Sequence, residues 1–288
     1  MAMLRRTFIG LTTFAVVVLG NFRLLKRSNA EERSNKVKNE FVNAQVSETA
    51  NDLIKFFQGY GYKLVQSGPL VTGYEFNGGL EFDDNLSMIG VNEFCIQPAS
   101  RVEDVSEKSR SGTLPLFHIL SLGSPGGSRS SPSIDLVLNL LLSRIGLAHD
   151  RLKITGTDNV LAHLPWLKRY GIQQSQIRFV DLNEARIAGK GSGYFEPKGH
   201  PRSPSLETYS IEYVLPDGQE IEIAEIGLNT DWGFGIGVER LTMARHDQAL
   251  TWDQALRSFR TSVQSSADRQ NLPLPEGYYK ILELSQPA

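Results

Sequence analysis

Hydrophobic positions along the chain repeat with helical spacing in some segments and alternate with polar positions in others. From Ser47 to Phe57 the apolar residues recur every three to four positions, which predicts an amphipathic helix. The segment Ile134–Ile145 carries leucines on nearly every face and predicts a helix buried in the core. Two more helices are predicted over residues 158–170, with a kink at Pro165, and over residues 251–263.

The predicted strands are short and are separated by turn residues. The segments Thr208–Leu215 and Gln219–Ile226 alternate around Pro216-Asp217-Gly218, which predicts an antiparallel hairpin. Residues 106–133 are rich in serine and glycine and predict a long loop. Hairpins with helices gathered around them indicate an α+β fold and not a doubly wound sheet. The shorter predicted strands cover residues 62–65, 70–74, 152–155 and 177–181.

Composition and charge narrow the classes of protein. The chain has 288 residues, of which 40% are hydrophobic and 22% charged, so collagen-like, coiled-coil and wholly disordered proteins are excluded. Cys95 is the only cysteine, which excludes a disulfide framework and a cysteine-cluster zinc site. The net charge of −2 divides into +5 over residues 1–40 and −7 over the rest. The acidic body lacks the electrostatic signature of a polyanion-binding protein.

The N-terminal arm, residues 1–40, has a pattern of its own. Phe8–Gly20 is nearly all apolar, with Arg5-Arg6 before it and further basic residues after it. A helix of that length would span roughly 20 Å, which is less than the roughly 30 Å of a bilayer core. An export signal, a membrane-surface helix over residues 5–27 and a wrongly extended start each explain the pattern. We expect a cytoplasmic protein, with membrane contact through the arm left open.

The sharpest chemical motif is a glycine-rich turn that leads into a helix, Gly233-Phe-Gly235-Ile-Gly237-Val-Glu239-Arg240-Leu241. Alternate glycines let a ligand or a backbone approach closely, because no Cβ intervenes. Arg240 in the first helical turn would then present its guanidinium to a phosphate. The segment lacks the third glycine of a dinucleotide fingerprint and the Gly-Lys-Ser/Thr of a P-loop. A tightly packed strand–helix junction with a surface arginine is the alternative.

The glycine-rich segment resembles motif 3 of the class II aminoacyl-tRNA synthetases. Three further stretches occur in the right order and resemble the alanyl-tRNA synthetase branch of that family, so the resemblance covers about residues 45–245. It implies a curved antiparallel sheet flanked by helices in a catalytic domain over 41–270, with a C-terminal tail over 271–288. The three stretches are Leu53–Gly61 with Ser67–Val71, Cys95–Leu120, and Gly193–Glu207.

The resemblance also implies ATP and Mg²⁺ as cofactors. It assigns Arg240 to the γ-phosphate and places Gly235 and Gly237 beside the nucleotide. The family arginine that grips the α-phosphate aligns with Gln97, whose neutral amide lacks both the charge and the bidentate fork. Arg110, which matches the second arginine of that region, is expected to take over the phosphate contact. Arg101 lies nearby as a second option.

Other family positions imply the substrate and metal contacts. The acidic residue that holds the substrate ammonium is displaced, and Asp231 is the expected substitute. Tyr194 stands where the family has tryptophan and, with Glu207, is expected to contact the substrate. Glu207 and Glu239 are expected to hold Mg²⁺ or to orient neighbouring polar groups. The family glutamate of the motif 2 region is replaced by His118.

The resemblance implies ATP-dependent activation of an amino acid or a related small carboxylate as an adenylate. The acceptor stays open among tRNA, a carrier protein and a small molecule, and neither the charge nor the length supports tRNA. The alternative is a paralog that has lost catalysis and serves as a binding or regulatory module, which Gln97 and the displaced Asp231 favour. A homodimer is also left open by the resemblance.

Overall fold

The structure is a computed structural model that describes residues 43–67, 70, 92–100, 112–123, 132–196, 205–228, 232–252, 255 and 278–279. The chain divides into two units, Met1–Phe41 and Val42–Ala288, and all described residues belong to the second. The N-terminal arm, residues 71–74 and most of the helix predicted over 251–263 therefore lie outside the described residues. In the part that is described, no helix is both long and apolar enough to cross a membrane.

The described strands form one large sheet. They are β1 (Lys63–Leu64), β2 (Glu93–Ala99), β3 (Phe117–Gly123), β4 (Leu152–Gly156), β5 (Ile177–Phe179), β6 (Lys190–Gly191), β7 (Tyr194–Phe195), β8 (Leu206–Val214), β9 (Glu220–Leu228) and β10 (Trp232–Gly237). Their order is β1-β2-β3-β10-β9-β8-β4-β5, and β7 joins β6 to β8. Neighbouring strands are antiparallel except for the parallel pairs β1–β2 and β4–β5. The fold is thus α+β, with a large antiparallel sheet flanked by helices, as predicted.

Helices occupy the connections of the sheet. The α-helices are α1 (Ala44–Gly59), α2 (Pro132–Leu138), α3 (Leu164–Arg169), α4 (Leu182–Ala188) and α5 (Val238–His246). A π-helix, Asn139–Ile145, continues α2, and a 3₁₀-helix, Asp158–His163, precedes α3. The start of α1 is fixed by Asn43, whose side-chain oxygen accepts a hydrogen bond from the backbone of Val46 at 2.9 Å.

One face of the sheet is apolar from β2 to β5. Two rows of residues that lie opposite one another on adjacent strands form this face, and nearly all of their side chains are buried. Helix α1 packs on it through Phe57, whose ring centroid lies 5.4 Å from that of Phe94 and 5.7 Å from that of Phe234. The first row is Phe94, Leu122, Phe234, Ile226 and Tyr209, and the second is Ile96, Leu120, Ile236, Ala224, Ile211, Ile154 and Ile177.

The hairpin predicted around Pro216-Asp217-Gly218 is confirmed as β8 and β9, which pair antiparallel. The helix predicted from Ser47 to Phe57 is confirmed as α1. A long loop was predicted over residues 106–133. That prediction is wrong for β3, which forms because Leu120 and Leu122 are buried on the apolar face. Helix α4 was not predicted, since it is only 7 residues long and its Ala185 is its one buried position.

Two further predictions need correction. The glycine-rich turn before α5 is a strand, β10, which pairs with both β3 and β9. The helix predicted over 158–170 begins as a 3₁₀-helix, and α3 starts at Leu164. Pro165 therefore lies in the first turn of an α-helix, where its missing N–H leaves no hydrogen bond broken, and does not kink a continuous helix.

Candidate functional site

The other face of the sheet carries small and polar residues. On each of seven strands, a residue next in sequence to those of the apolar rows faces this side. These seven residues pair with one another in register, and none has a large apolar side chain. Gly235 is the third residue of this row, between Ser121 and Glu225, so β10 projects no side chain there. The row is Cys95, Ser121, Gly235, Glu225, Ser210, Thr155 and Arg178. We call this side of the sheet the polar face.

A bulge in β9 adds a second carboxylate to the polar face. Ile211 pairs with Ala224 and Glu212 pairs with Glu222, so Ile223 is an extra residue that shifts the alternation. The hydroxyl of Ser210 lies 3.2 Å from Glu222 Oε2 and 2.5 Å from Glu225 Oε2. Glu222 and Glu225 therefore meet at one serine, although they are three positions apart in the strand. We call Glu222 and Glu225 the carboxylate pair, and Ser210 its bridging serine.

Electrostatics set the two carboxylates apart. Burial, and then the negative charge of Glu222, raise the pKa of Glu225 to about 8, while hydrogen bonds from Ser210, Thr208 and the backbone of Ser192 oppose the shift. The N–H of Ser192 donates to Glu225 Oε1 at 3.1 Å. Gly191, with φ of +98°, makes this approach feasible, because an added Cβ would lie 3.0 Å from Glu225 Oε2.

Arg240 reaches the carboxylate pair from the first turn of α5. Its Nε donates to the carbonyl oxygen of Gly112 at 3.1 Å, and its Nη1 donates to that of Glu222 at 3.4 Å. The same Nη1 lies 3.7 Å from Glu222 Oε1. The Arg240 side chain keeps 32% of its surface exposed, so a ligand can contact the guanidinium. Arg240 thus contacts Glu222, and Ser210 joins Glu222 to Glu225.

Glu239, the other charged residue of the motif, takes a different direction. It is fully buried, and its Oε2 accepts a hydrogen bond from the backbone N–H of His118 at 2.7 Å. Its Oε1 lies 2.7 Å from Nδ1 of His118, which is also buried. Because a carboxylate only accepts hydrogen bonds, Nδ1 is the donor. Both carboxylate oxygens of Glu239 are thus engaged with β3 and not with the carboxylate pair.

Tyr194 and Glu207 are brought together, but away from Arg240. They lie opposite each other on β7 and β8. Glu207 Oε2 accepts a hydrogen bond from Asn159 at 2.9 Å, and Arg186 approaches Glu207 to 3.9 Å. Glu207 shares the side of β8 on which Tyr209 contacts His163, while Ser210 lies on the other side. Tyr194 and Glu207 therefore form a separate cluster on the apolar side of the sheet.

The remaining predicted residues divide between the polar face and the undescribed segments. Gln97 is fully buried and lies two positions after Cys95 on β2, so both residues face the same side of the sheet. Its Nε2 donates to the carbonyl oxygen of Pro98 at 2.9 Å. Gln97 pairs with Ile119, which pairs in turn with Gly237, so these positions line the same side as Gly235. Arg101, Arg110 and Asp231 lie outside the described residues.

The sequence analysis missed Glu222, Glu225 and Ser210. A signal for the first two exists in the alternation of β9, where polar residues occupy the even positions Glu220 and Glu222 and then the odd position Glu225. A change of parity within a strand predicts a bulge. Ser210 gives no comparable signal, because its importance depends on its register with Glu225.

The carboxylate pair is chemically suited to a divalent cation. Mg²⁺ in nucleotide sites is bound by one or two carboxylates together with phosphate oxygens and water. Burial first, and the charge of Glu222 second, raise the pKa of Glu225 to about 8, so a cation bound by both carboxylates would displace the proton of Glu225. Across the described residues, no group of three or more His, Cys, Asp or Glu side chains is placed to hold a metal without a ligand's help. The pair therefore fits Mg²⁺ that arrives with a nucleotide.

Known proteins resemble the chain at low sequence identity and low TM-score. No protein-family model matches the chain, and no curated protein sequence matches it. Solved structures that it resembles include apo histidyl-tRNA synthetase from S. aureus, at 13% identity and a TM-score of 0.36 over 69% of each chain. Asparaginyl-tRNA synthetase from Pyrococcus horikoshii, complexed with asparaginyl-adenylate, has 16% identity and a TM-score of 0.35 over 70% of this chain and 65% of that one. For asparaginyl-tRNA synthetase from Entamoeba histolytica the identity is 14% and the TM-score 0.34, over 79% and 67%.

The chain thus spans 65–69% of the length of these synthetases. At these identities and scores the similarity supports no statement about activity.

Proposed function

We propose that the polar face binds ATP and that the protein activates an amino acid or a related small carboxylate as an acyl-adenylate. One observation carries the proposal: Arg240, at the motif 3-like position, lies beside the paired carboxylates of Glu222 and Glu225. An arginine for phosphate oxygens and two carboxylates for Mg²⁺ are the groups that a bent triphosphate requires. Gly235 places no side chain on the face, and Gly237 lets the Arg240 side chain pack closely over β10.

Each side chain has a role in this proposal. The guanidinium of Arg240 binds the γ-phosphate and stabilises the charge that collects on the pyrophosphate as it leaves. The carboxylate oxygen of the substrate forms the new bond to the α-phosphorus while the bond to the pyrophosphate oxygen breaks. Glu222 and Glu225 would hold Mg²⁺, which neutralises phosphate charge when bound. Glu239 orients the first turn of α5 through His118, which fits its assigned role in orienting polar groups.

The first test compares two arginines of the same helix. We expect Arg240→Ala to weaken ATP binding at least roughly tenfold, which corresponds to the loss of a charge-assisted phosphate contact. Arg245→Ala is the matched control, because Arg245 pairs with Asp52 at 2.9 Å and with Glu48 at the packing contact between α5 and α1. Isothermal calorimetry of the full chain measures both. Equal ATP affinity of Arg240→Ala and the parent would show that the motif 3 assignment is wrong.

A second candidate function is a binding or regulatory module that retains ATP affinity without catalysis. The buried, neutral amide of Gln97 favours it, because its Nε2 is engaged with the Pro98 carbonyl and offers no positive charge to an α-phosphate. ATP–pyrophosphate exchange with each of the twenty amino acids distinguishes the two functions. If the site is a weakened synthetase, Gln97→Arg is expected to raise exchange above the parent, by roughly tenfold or more for one restored charged contact. Exchange absent from both proteins, with ATP still bound, supports the module.

A further inference from the structure

We infer that His118 is a positioning residue for Arg240 and that it acts through Glu239. This inference rests on the proposed function, since it concerns how the phosphate-binding guanidinium is held. His118 lies on β3 and Glu239 on α5, 121 residues apart in the sequence. Two hydrogen bonds of 2.7 Å join them, and both side chains are almost completely buried.

The contact lies where the sheet gives way to the helix. The pairing of β3 with β10 ends at Ile119 and Gly237, and β10 turns into α5 immediately afterwards. His118 is the next residue along β3, and its backbone N–H donates to the Glu239 carboxylate. The Glu239 side chain thus takes the place of the backbone acceptor that a longer β10 would have supplied. The imidazole of His118 supplies the second bond and fixes the direction of the carboxylate.

Arg240 follows Glu239 in α5, and it contacts the segment just before β3. Its Nε donates to the carbonyl oxygen of Gly112, in the segment that leads into β3, at 3.1 Å. Two consecutive residues of α5 therefore reach the segment 112–118. The first turn of α5 cannot slide along β3 without breaking both bonds to Glu239, and breaking them would leave buried polar groups without partners. The position of the guanidinium relative to Glu222 is thereby coupled to His118.

A second buried histidine provides a matched comparison. His163 Nδ1 lies 2.8 Å from the hydroxyl of Tyr209, and both residues are buried on the apolar side of the sheet. His163→Ala removes an imidazole of the same size and burial, but at a contact between β8 and the 3₁₀-helix. If His118 had a purely structural role, His118→Ala and His163→Ala would lose similar stability and would bind ATP with similar affinity.

The experiment measures ATP binding by calorimetry for the full-length parent, His118→Ala, His118→Asn and His163→Ala. We expect His118→Ala to weaken ATP binding roughly tenfold, which is the size of the interaction energy typical of two residues in direct contact. His163→Ala should bind ATP like the parent. The amide of Asn can donate from nearly the position of Nδ1, so His118→Asn should restore most of the affinity. This variant also distinguishes a loss of positioning from a loss of affinity caused by unfolding.

Action through Arg240 is tested in the Arg240→Ala background. There, His118→Ala should cost no further affinity, because the guanidinium that it positions is gone. An additional loss equal to that in the parent, or equal effects of His118→Ala and His163→Ala, would overturn the inference.

The inference stays testable if the parent fails to bind ATP, an outcome that would refute the proposed function alone. The Nε–H signal of Arg240 in a nitrogen-15 spectrum, identified with Arg240→Lys, reports its hydrogen bond to Gly112 directly. The signal should shift in His118→Ala and not in His163→Ala. No shift in His118→Ala would refute the positioning role.

Discussion

At the scale of single residues, strand β9 shows how position alone sets the chemistry of a glutamate. Glu220 accepts a hydrogen bond from Lys153 at the solvent-facing start of the strand, and that bond lowers the pKa of its carboxyl group. Glu225, five residues later, is desolvated beside Glu222, and its pKa is raised to about 8. The two shifts have opposite signs, and they therefore predict opposite effects of pH on stability.

Glu225→Gln is expected to gain stability relative to the parent as the pH rises. In the unfolded chain the carboxyl group loses its proton near its ordinary pKa of 4.5, whereas the folded protein keeps it until about pH 8. Between these values the folded state binds more protons, so its free energy of unfolding falls with rising pH. Glutamine removes this term, and the difference between variant and parent should therefore increase from pH 5 to pH 8. Urea unfolding at three pH values in this window measures it.

Glu220→Gln is the control of opposite sign. A lowered pKa contributes stability above the ordinary value and loses it as the pH falls through the folded pKa. The variant should therefore be less stable than the parent at neutral pH, and the difference should shrink below pH 4.5. If Glu225→Gln and Glu220→Gln respond to pH in the same direction, the assignment of Glu225 to a desolvated pair is wrong.

At the scale of elements, alternation predicted the hairpin of β8 and β9 because each strand has one buried and one polar side. The same rule failed for β10, where Gly233, Gly235 and Gly237 occupy alternate positions and a sequence of glycines is typical of a turn. These glycines belong to a strand because Phe234 and Ile236 between them fill the two apolar rows. Long-range packing, and not local propensity, decides the element.

The site was predictable to the extent that its chemistry is local in sequence. Arg240 follows a recognisable glycine pattern, so its position at the start of a helix was predicted and is found there. Glu222 and Glu225 meet only because Ile223 forms a bulge and because Ser210 lies opposite, and both facts depend on strand register. The pairing of His118 with Glu239 joins residues 121 positions apart, which no local pattern encodes.

At the scale of the whole molecule, the sheet separates packing from chemistry. Its central strands place the two apolar rows on one side and the row from Cys95 to Arg178 on the other, so the same strands build the core and the candidate site. Stability of the core and geometry of the polar face are therefore linked through the backbone of the strands. Because the net charge outside residues 1–40 is −7, the proposed phosphate site would depend on the local charge of Arg240 and on Mg²⁺.

The apolar rows predict that the sheet unfolds as one unit. Phe234 is fully buried at the middle of the first row, between Leu122 and Ile226, and it also packs against Phe57 of α1. Phe234→Ala leaves a cavity that the strands on both sides cannot close, and it should lower the free energy of unfolding by about 3–5 kcal/mol. Because the row joins five strands, the urea midpoint should fall while the slope of the transition stays unchanged.

Phe179→Ala supplies the matched control for that prediction. Phe179 lies on the edge strand β5 and keeps 46% of its surface exposed, so its truncation removes little buried area and should change the stability by less than about 1 kcal/mol. Far-ultraviolet circular dichroism and tryptophan fluorescence should report one coincident transition for Phe234→Ala. Two separate transitions would show that the strands on either side of Phe234 unfold independently, and the link between the core and the polar face would then be lost.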